Sequence, residues 1–438
     1  MIILAVLSLT LFRPLMILAY PLFVLLLFQG LGLRIQRWVI WALLLVALMG
    51  LLSMLSEGFF LCNYLLSLYL VFLPVFFASS KPVAHPKMTN QRLFPYFMKV
   101  ATYVLLVINV SAVFYSLYML TTDANPDDIF TGLYGGSGFG SHSLSIMNML
   151  MAAYYFFQKQ YKVFAFFFIC GILGFYGQGL IIFVLSLGIV LIPLLIRNIL
   201  TVLKIGLGVG LFFVVIYLIN PNNLDYIRNN TRFLEEIATD YDYVEEMNKM
   251  NDFQRTRIPR YVTFMDGSRR LFLSDSKVFL MGTTPGTFNS RVAFYFNGDF
   301  LTNSIMREHF TFRSPYHMEY VFPVLNRGYL KYFMWNDGTR NQPFSSIVSV
   351  LLEYGAIAGG VLLFLLFSGL NRARRSGISR EQRAFMFFLM LYVFFLMFFQ
   401  YYLEVIEIIF PMLVMAKLME VDAANLKPDP DEVPSEVH

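Results

Sequence analysis

The sequence predicts an all-α polytopic integral membrane protein. Three observations carry that prediction. Hydrophobic residues make up 58% of the chain and charged residues only 14%, against about 25% charged in soluble domains. Apolar runs of about 20 residues, long enough to span a bilayer as helix, recur as far as residue 420 or so. The runs are uniformly apolar, without the two-residue alternation of a membrane barrel, and backbone in lipid must bond internally, so they should be helices. The mean hydropathy of +0.62 agrees. No short leader with a small-residue cleavage site precedes a polar mature chain, so no cleaved signal peptide is expected.

The spans fall at roughly 2–12, 15–31, 38–56, 59–78, 100–120, 143–158, 163–176, 178–196, 203–220, 346–369, 384–402 and 404–420, or about twelve crossings. Some of these boundaries come from length. A single helix over 163–196 would be about 50 Å long at roughly 1.5 Å per residue, more than one crossing uses, so "GILGFYGQG" (171–179) should turn the chain. The 384–420 run should turn likewise, with Glu404 and Glu407 near its middle. At the N-terminus, Arg13-Pro14 either separates two short spans or kinks one.

Basic residues cluster in alternate loops: Arg34 and Arg37; Lys81, Lys87, Arg92 and Lys99; Lys159 and Lys162; Arg197 and Lys204; and "NRARRSGISREQR" (371–383). That side should be cytoplasmic, which places both termini inside and "TTDANPDDIF" (121–130) outside. The net charge of +5 is then a topology signal and calls for no nucleic acid. Cys62 and Cys170 are the only cysteines. Both sit within apolar runs, so neither a disulfide framework nor a cysteine metal site is expected.

Composition breaks once. Residues 1–219 form an N-terminal bundle of about nine spans, 346–420 the C-terminal spans and 421–438 a cytoplasmic tail expected to be disordered. Between them, 220–345 carries roughly half of all charged residues and reads as one large outward-facing insert. Within it "NTRFLEEIATDYDYVEEMNKM" (230–250) reads as an acidic helix capped near Asn230 or Thr231. The Asp-x-Asp of "TDYDY" (239–243) belongs to that solvated face, so no metal site is assigned there. Basic and acidic residues nearly balance in the insert, which argues against a non-specific polyanion site.

Two glycine-rich stretches stand out. "FLMGTTPGTFNSRVAF" (279–294) is a Gly/Pro turn that delivers Arg291 onto an aromatic run. "FTGLYGGSGFGSHSLSIM" (130–147) leads glycines and serines into a span, where they either admit a ligand close to backbone or pack helices.

These pieces resemble the bacterial O-antigen polymerase and ligase superfamily. "SDSKVFLMGTTPGTF" (274–288) is similar to that family's "pllGxGpGtF" element, with Arg260 about twenty residues ahead of it and "NSRVAF" supplying the arginine after it. "QPFSSIVSVLLEYGAIAGGVLLF" (342–364) resembles the segment that re-enters the membrane after the large external loop. "FTGLYGGSGFGSHSLSIM" looks like the "GLfxepsxxG" element before a middle span, although Gly135-Gly136 stand where an acidic residue is common. Ligase-type members place a histidine where this chain has "NQPFSS", a departure that speaks against a ligase.

The resemblance implies a GT-C-like membrane glycosyltransferase in the bacterial inner membrane, using neither cofactor nor metal. It would join oligosaccharide repeat units carried on polyprenyl diphosphate, so donor and acceptor are both lipid-linked, with membrane lipid around them and a chain-length regulator and a flippase as further partners. As the glycosidic bond breaks, charge gathers on the diphosphate, and arginine suits it because its planar fork grips phosphate bidentately and stays protonated. Arg291 and then Arg260 rank first on motif context, followed by Arg313, Arg327 and Arg340; each could instead make a surface ion pair. A base for the acceptor hydroxyl could be His317 with Glu319, or His309 beside Glu308. His317 and Glu319 share a face only if their segment is extended. Gly286, Gly138, His142, Tyr316, Tyr320 and Trp335 are the candidate sugar contacts, the aromatics by stacking on pyranose faces, although in a chain with 17% aromatics packing and interfacial belts claim many of them. A ligase of the same superfamily and a lipid-linked sugar transporter are the alternatives.

Overall fold

The computed structural model describes residues 13–58, 60–83, 92–121, 129–134, 138–174, 177–195, 260–296, 313–322 and 345–426, with isolated positions at 210, 214 and 249. These residues are predominantly helical. In chain order come α1 (Arg13–Gly30), β1 (Leu33–Arg34), α2 (Arg37–Glu57), α3 (Leu61–Ser79), β2 (Lys81–Pro82), α4 (Leu93–Leu120), α5 (Gly138–Phe157), α6 (Tyr161–Leu173) and α7 (Gly177–Leu195). After them follow α8 (Arg260–Ser274), α9 (Ser276–Met281), α10 (Arg291–Phe296), α11 (Ser346–Ser376), α12 (Arg380–Phe399) and α13 (Ile406–Asn425).

Five of these helices, α2, α3, α4, α11 and α12, are long and apolar enough to cross a bilayer. The chain is a membrane-embedded protein. α2 shows how its surface is built: Val39, Leu43, Val46 and Gly50 face the bundle, while Trp41, Leu44, Leu48 and Leu55 point outward. A helix apolar on both faces is at home where its outer face meets lipid. The expected spans at 15–31, 38–56, 59–78, 100–120, 143–158, 163–176, 178–196, 346–369, 384–402 and 404–420 each coincide with a helix. The spans at 2–12 and 203–220, and the acidic helix at 230–250 with its "TDYDY", fall outside the described residues apart from isolated positions. Helix does break where length demanded it, between Leu173 and Gly177 and again between Phe399 and Ile406.

α11 is the central element, packing against α2, α3, α9, α12 and α13, while α5 packs on α6 and α7 on α12. One end of the bundle gathers the basic segments. There β1 and β2 pair antiparallel, Arg34 opposite Lys81. Arg372 Nη2 donates to the carbonyls of Ala78, Ser79 and Ser80 at 3.1, 3.0 and 2.8 Å, capping the C-terminus of α3. Lys417 Nζ donates to Ser80 O at 2.6 Å and to Glu420 at 2.9 Å. Asp422 accepts from the N–H groups of Leu93 and Phe94, at 2.7 and 2.9 Å, and so closes the N-terminus of α4.

The apolar interior is pinned at a few polar points. Asn109 on α4 and Asn148 on α5 exchange amide hydrogen bonds of 2.7 and 2.8 Å, with both side chains buried. Removing one partner alone strands the other, at roughly 1–3 kcal/mol, whereas removing both leaves only apolar contact. Asn109→Leu should therefore lower the thermal unfolding midpoint in detergent, and the Asn109→Leu/Asn148→Leu double variant should recover most of the loss.

Candidate functional site

At the end of the bundle opposite the basic cluster, the segment that reads as an external turn lies inside the protein. Asp275 caps α9, its carboxylate accepting from the N–H groups of Lys277 and Val278 at 2.9 and 3.2 Å. The helix stops at Gly282, and residues 282–290, "GTTPGTFNS", are buried throughout.

What holds so many polar groups there is a single side chain, Glu353 of α11. Its Oε2 accepts from Gly286 N at 2.6 Å. Its Oε1 accepts from the N–H groups of Phe288, Asn289 and Ser290, at 3.0, 3.1 and 3.0 Å. Four consecutive-turn amides around one carboxylate form an anion nest of the kind that phosphate loops use, filled here by the protein's own acid. Three further side chains grip the loop: Asn63 Nδ2 donates to Gly286 O at 2.7 Å, Ser53 Oγ to Gly282 O at 3.1 Å, and Ser349 Oγ to Asn289 O at 3.1 Å.

Backbone meets backbone where α9 ends. Gly282 (φ 80°, ψ 173°) and Gly355 (φ 80°, ψ 163°) both adopt a conformation essentially reserved for glycine. A Cβ on Gly355 would lie 2.3 Å from Leu280 O, and one on Gly282 2.3 Å from Glu353 O. Gly355 also breaks α11 into two helices across a kink. Two residues after Gly282, Thr284, a β-branched residue, is held at φ 91°, a strain that persists only where the surroundings over-determine it.

The loop delivers Arg291, the first residue of α10. Its backbone N–H donates to Glu404 Oε2 at 2.6 Å, its Nη1 to Glu404 O at 3.3 Å and its Nε to the Tyr295 hydroxyl at 3.0 Å. The guanidinium also lies over the Tyr295 ring, 5.4 Å from its centroid. Burial pulls its pKa down, but Tyr295, Glu407 and Tyr401 outweigh that and hold it above the ordinary value. Arg291 thus rests against the α12–α13 connector, whose 3-10 turn Tyr402–Glu404 carries the acid. No family model, curated protein or solved structure matches the chain.

Other expected site residues divide around this centre. Gly286 lies in the nest at φ 80°. His317 is wholly buried, with Nδ1 2.8 Å from Phe288 O and its ring edge-on to Phe294 at 5.2 Å. Its segment is a π-turn, His317–Val321, so the condition for sharing a face with Glu319 is not met: His317 points in and Glu319 is exposed. Tyr316 bonds to Glu57, which Lys277 also pairs. Burial first, then Glu57 and Asp275, push the Tyr316 hydroxyl above its usual range. Tyr320 is raised too, by burial and Glu319 against Arg270. Arg313 is exposed. Gly138 opens α5 and His142 lies half-buried one turn on, in a different helix from the nest. Arg260 begins α8, but its side chain, like His309, Arg327, Trp335 and Arg340, lies outside the described residues.

Two residues central to the site were not singled out from sequence. Glu353 is a lone carboxylate in an apolar run, and an ionisable group at such a place is a functional candidate by default. Glu404 falls in the turn that the length and charge of the 384–420 run predict, but its partnership with Arg291 across 113 residues leaves no local trace.

Proposed function

We propose that this chain is a glycosyltransferase that polymerises polyprenyl-diphosphate-linked oligosaccharide repeat units at the outer face of a bacterial inner membrane, with Arg291 stabilising the diphosphate as it leaves. One observation supports this reading above the others. Two of the three segments that carry the family resemblance, 274–288 and 342–364, meet through Glu353, and the joint they make sets the position of Arg291. In this reading the end with the nest faces outward, the basic end and both termini face the cytoplasm, and the chain makes about twelve crossings in a GT-C-like arrangement. The donor and acceptor lipids reach the site from the bilayer. A chain-length regulator and a flippase would act beside it.

Arginine at this place would act without a metal. It offers a fixed positive charge and a planar donor fork where negative charge develops, and removing such a stabiliser typically costs about 10²–10³ in rate. Arg291→Ala and Arg291→Lys should each reduce chain extension by at least about 10²-fold while single-repeat lipid intermediates accumulate. Normal product ladders from folded forms of both variants would remove Arg291 from the reaction.

Transport of the same lipid-linked sugars is a second reading, supported by the carboxylates of Glu353, Glu404 and Glu407 buried among the helices. Purified protein incubated with lipid-diphosphate oligosaccharides, with and without chelator, separates the readings. Polymer built from repeats alone indicates a polymerase, transfer to a second class of acceptor a ligase, and movement across vesicles without product a transporter.

A further inference from the structure

The two helices that lead into the nest carry apolar side chains on their outer surface. α8 turns Gly267, Ser268 and Leu271 inward and packs on the π-turn, where a Cβ on Gly267 would lie 3.3 Å from Tyr320 O. Leu273 comes two residues after Leu271, about 200° further around the helix. It points the other way and is 79% exposed, more than any other large apolar side chain among the described residues. On α9, Val278 is buried while Phe279 and Leu280 are exposed. Phe272 packs edge-on to Phe279, with ring centroids 4.9 Å apart, and so joins the two helices as the arms of an elbow.

The second arm runs down beside α2. Lys277 pairs with Glu57, the last residue of α2, and Ser53, four residues earlier on α2, holds Gly282 O. Four residues of helix rise about 6 Å, so α9 lies alongside the last turn of α2. On its other side Leu280 O meets the kink of α11 at Gly355. The flanking side chains at this level are Leu52 and Leu55 of α2 and Ile357 of α11, all exposed. They belong to the outer face that meets lipid. The apolar surface of the elbow therefore continues the lipid-facing belt of the bundle, and a contiguous patch of this kind marks an interaction surface where scattered single residues would not.

The corner of the elbow has the opposite character. Ser274, Ser276 and Lys277 are exposed there, and Arg269 and Arg270 lie half-buried along α8. An apolar side set against serines and cations is the pattern of helices that lie in the boundary between headgroups and acyl chains. The aliphatic stem of Lys277 lets its ammonium stay at the polar level.

We propose that α8 and α9 form a membrane-interface elbow, with Leu273, Phe279 and Leu280 inserted among the acyl chains of the surrounding lipid at the nest end of the bundle and the Ser274–Lys277 corner at the headgroups. The stretch 271–281 then leaves the polar insert to which its place in the sequence assigns it. Because α9 runs directly into Gly282, its seating in lipid fixes the depth of the nest loop, and of Arg291, relative to the phosphates of the bilayer. The inference needs only a membrane-embedded chain and is independent of the reaction the protein performs.

The test places an environment-sensitive nitrobenzoxadiazole probe on single cysteines, Leu273→Cys, Leu280→Cys or Ser276→Cys, in the full chain carrying Cys62→Ala and Cys170→Ala. Each labelled protein is reconstituted into phosphatidylethanolamine–phosphatidylglycerol vesicles with iodide on both sides or with lipid bearing a doxyl group on its acyl chain. The probes at 273 and 280 should emit further to the blue than the probe at 276, lose most of their emission to doxyl lipid and resist iodide. The probe at 276 should show the reverse preference. If Leu280→Cys, whose backbone touches the kink, does not fold, position 273 decides alone, since its side chain is the most exposed. Iodide quenching at 273 equal to that at 276 would place the elbow in water and overturn the inference. Protection of 273 from both quenchers would overturn it too, because the patch would then be covered by protein, either another part of this chain or a second copy.

Discussion

Glu353→Ala is expected to prevent the protein from reaching its folded state. The substitution takes the acceptor from four buried N–H groups at once. At roughly 1–3 kcal/mol for each donor left unsatisfied, the loss is on the order of 4 kcal/mol or more, comparable with the whole stability of many domains. Water cannot easily replace the carboxylate, because residues 282–290 are buried. Glu353→Gln should be milder. A glutamine that turns its oxygen toward Phe288, Asn289 and Ser290 keeps three of the four bonds and sets its amide against Gly286 N–H. Size-exclusion profiles and unfolding midpoints in detergent would rank the two variants. Alanine and glutamine behaving alike, both near wild type, would mean that the loop does not need the nest.

Gly355→Ala is expected to cause a loss of similar size by a different route. Here no hydrogen bond is deleted. The added Cβ would meet Leu280 O at 2.3 Å and Gly282 N at 2.9 Å, and both are backbone atoms that cannot rotate away. The residue would also have to hold φ 80° and ψ 163°, a region whose cost for a non-glycine residue is of order 1–3 kcal/mol before any clash. The α9 end must then lift off α11, taking Thr283 N from Leu352 O and loosening the path to Arg291. Gly360→Ala is the matched control, since it lies in the same helix and a Cβ there meets nothing within 4 Å. Lower yield and midpoint for Gly355→Ala beside a normal Gly360→Ala would establish the backbone contact, and equal behaviour of the two would refute it.

The helices were legible because lipid imposes a rule that length and hydropathy express directly. A run such as 346–369 has one way to satisfy its backbone in a bilayer, and the breaks near 174 and 400 followed from the excess length of their runs. The site was legible only in its parts. "GTTPGTF" has the composition of an exposed turn, and nothing local says that its amides will be satisfied by a carboxylate 65 residues away. The pairing is a tertiary fact, and the nearest sequence signal was the isolation of Glu353 among apolar neighbours. His317 shows the complementary limit. Whether it faced the same way as Glu319 depended on the local backbone, and a π-turn, set by packing on Phe288 and Phe294, decided it. Arg291 was recognised as the cation of the loop, while its attachment to Glu404 required the α12–α13 connector to be in place.

Chain order gives the nest one more consequence, for biogenesis. Phe288 leaves the ribosome 65 residues ahead of Glu353, and at about 5–20 residues per second that interval lasts roughly 3–13 s. Through it the loop has its donors and no acceptor. It can take its final shape only after the following span has been threaded by the insertion machinery. The loop therefore matures later than its place in the chain suggests, and a chain that stops short of Glu353 would not yet carry an assembled site.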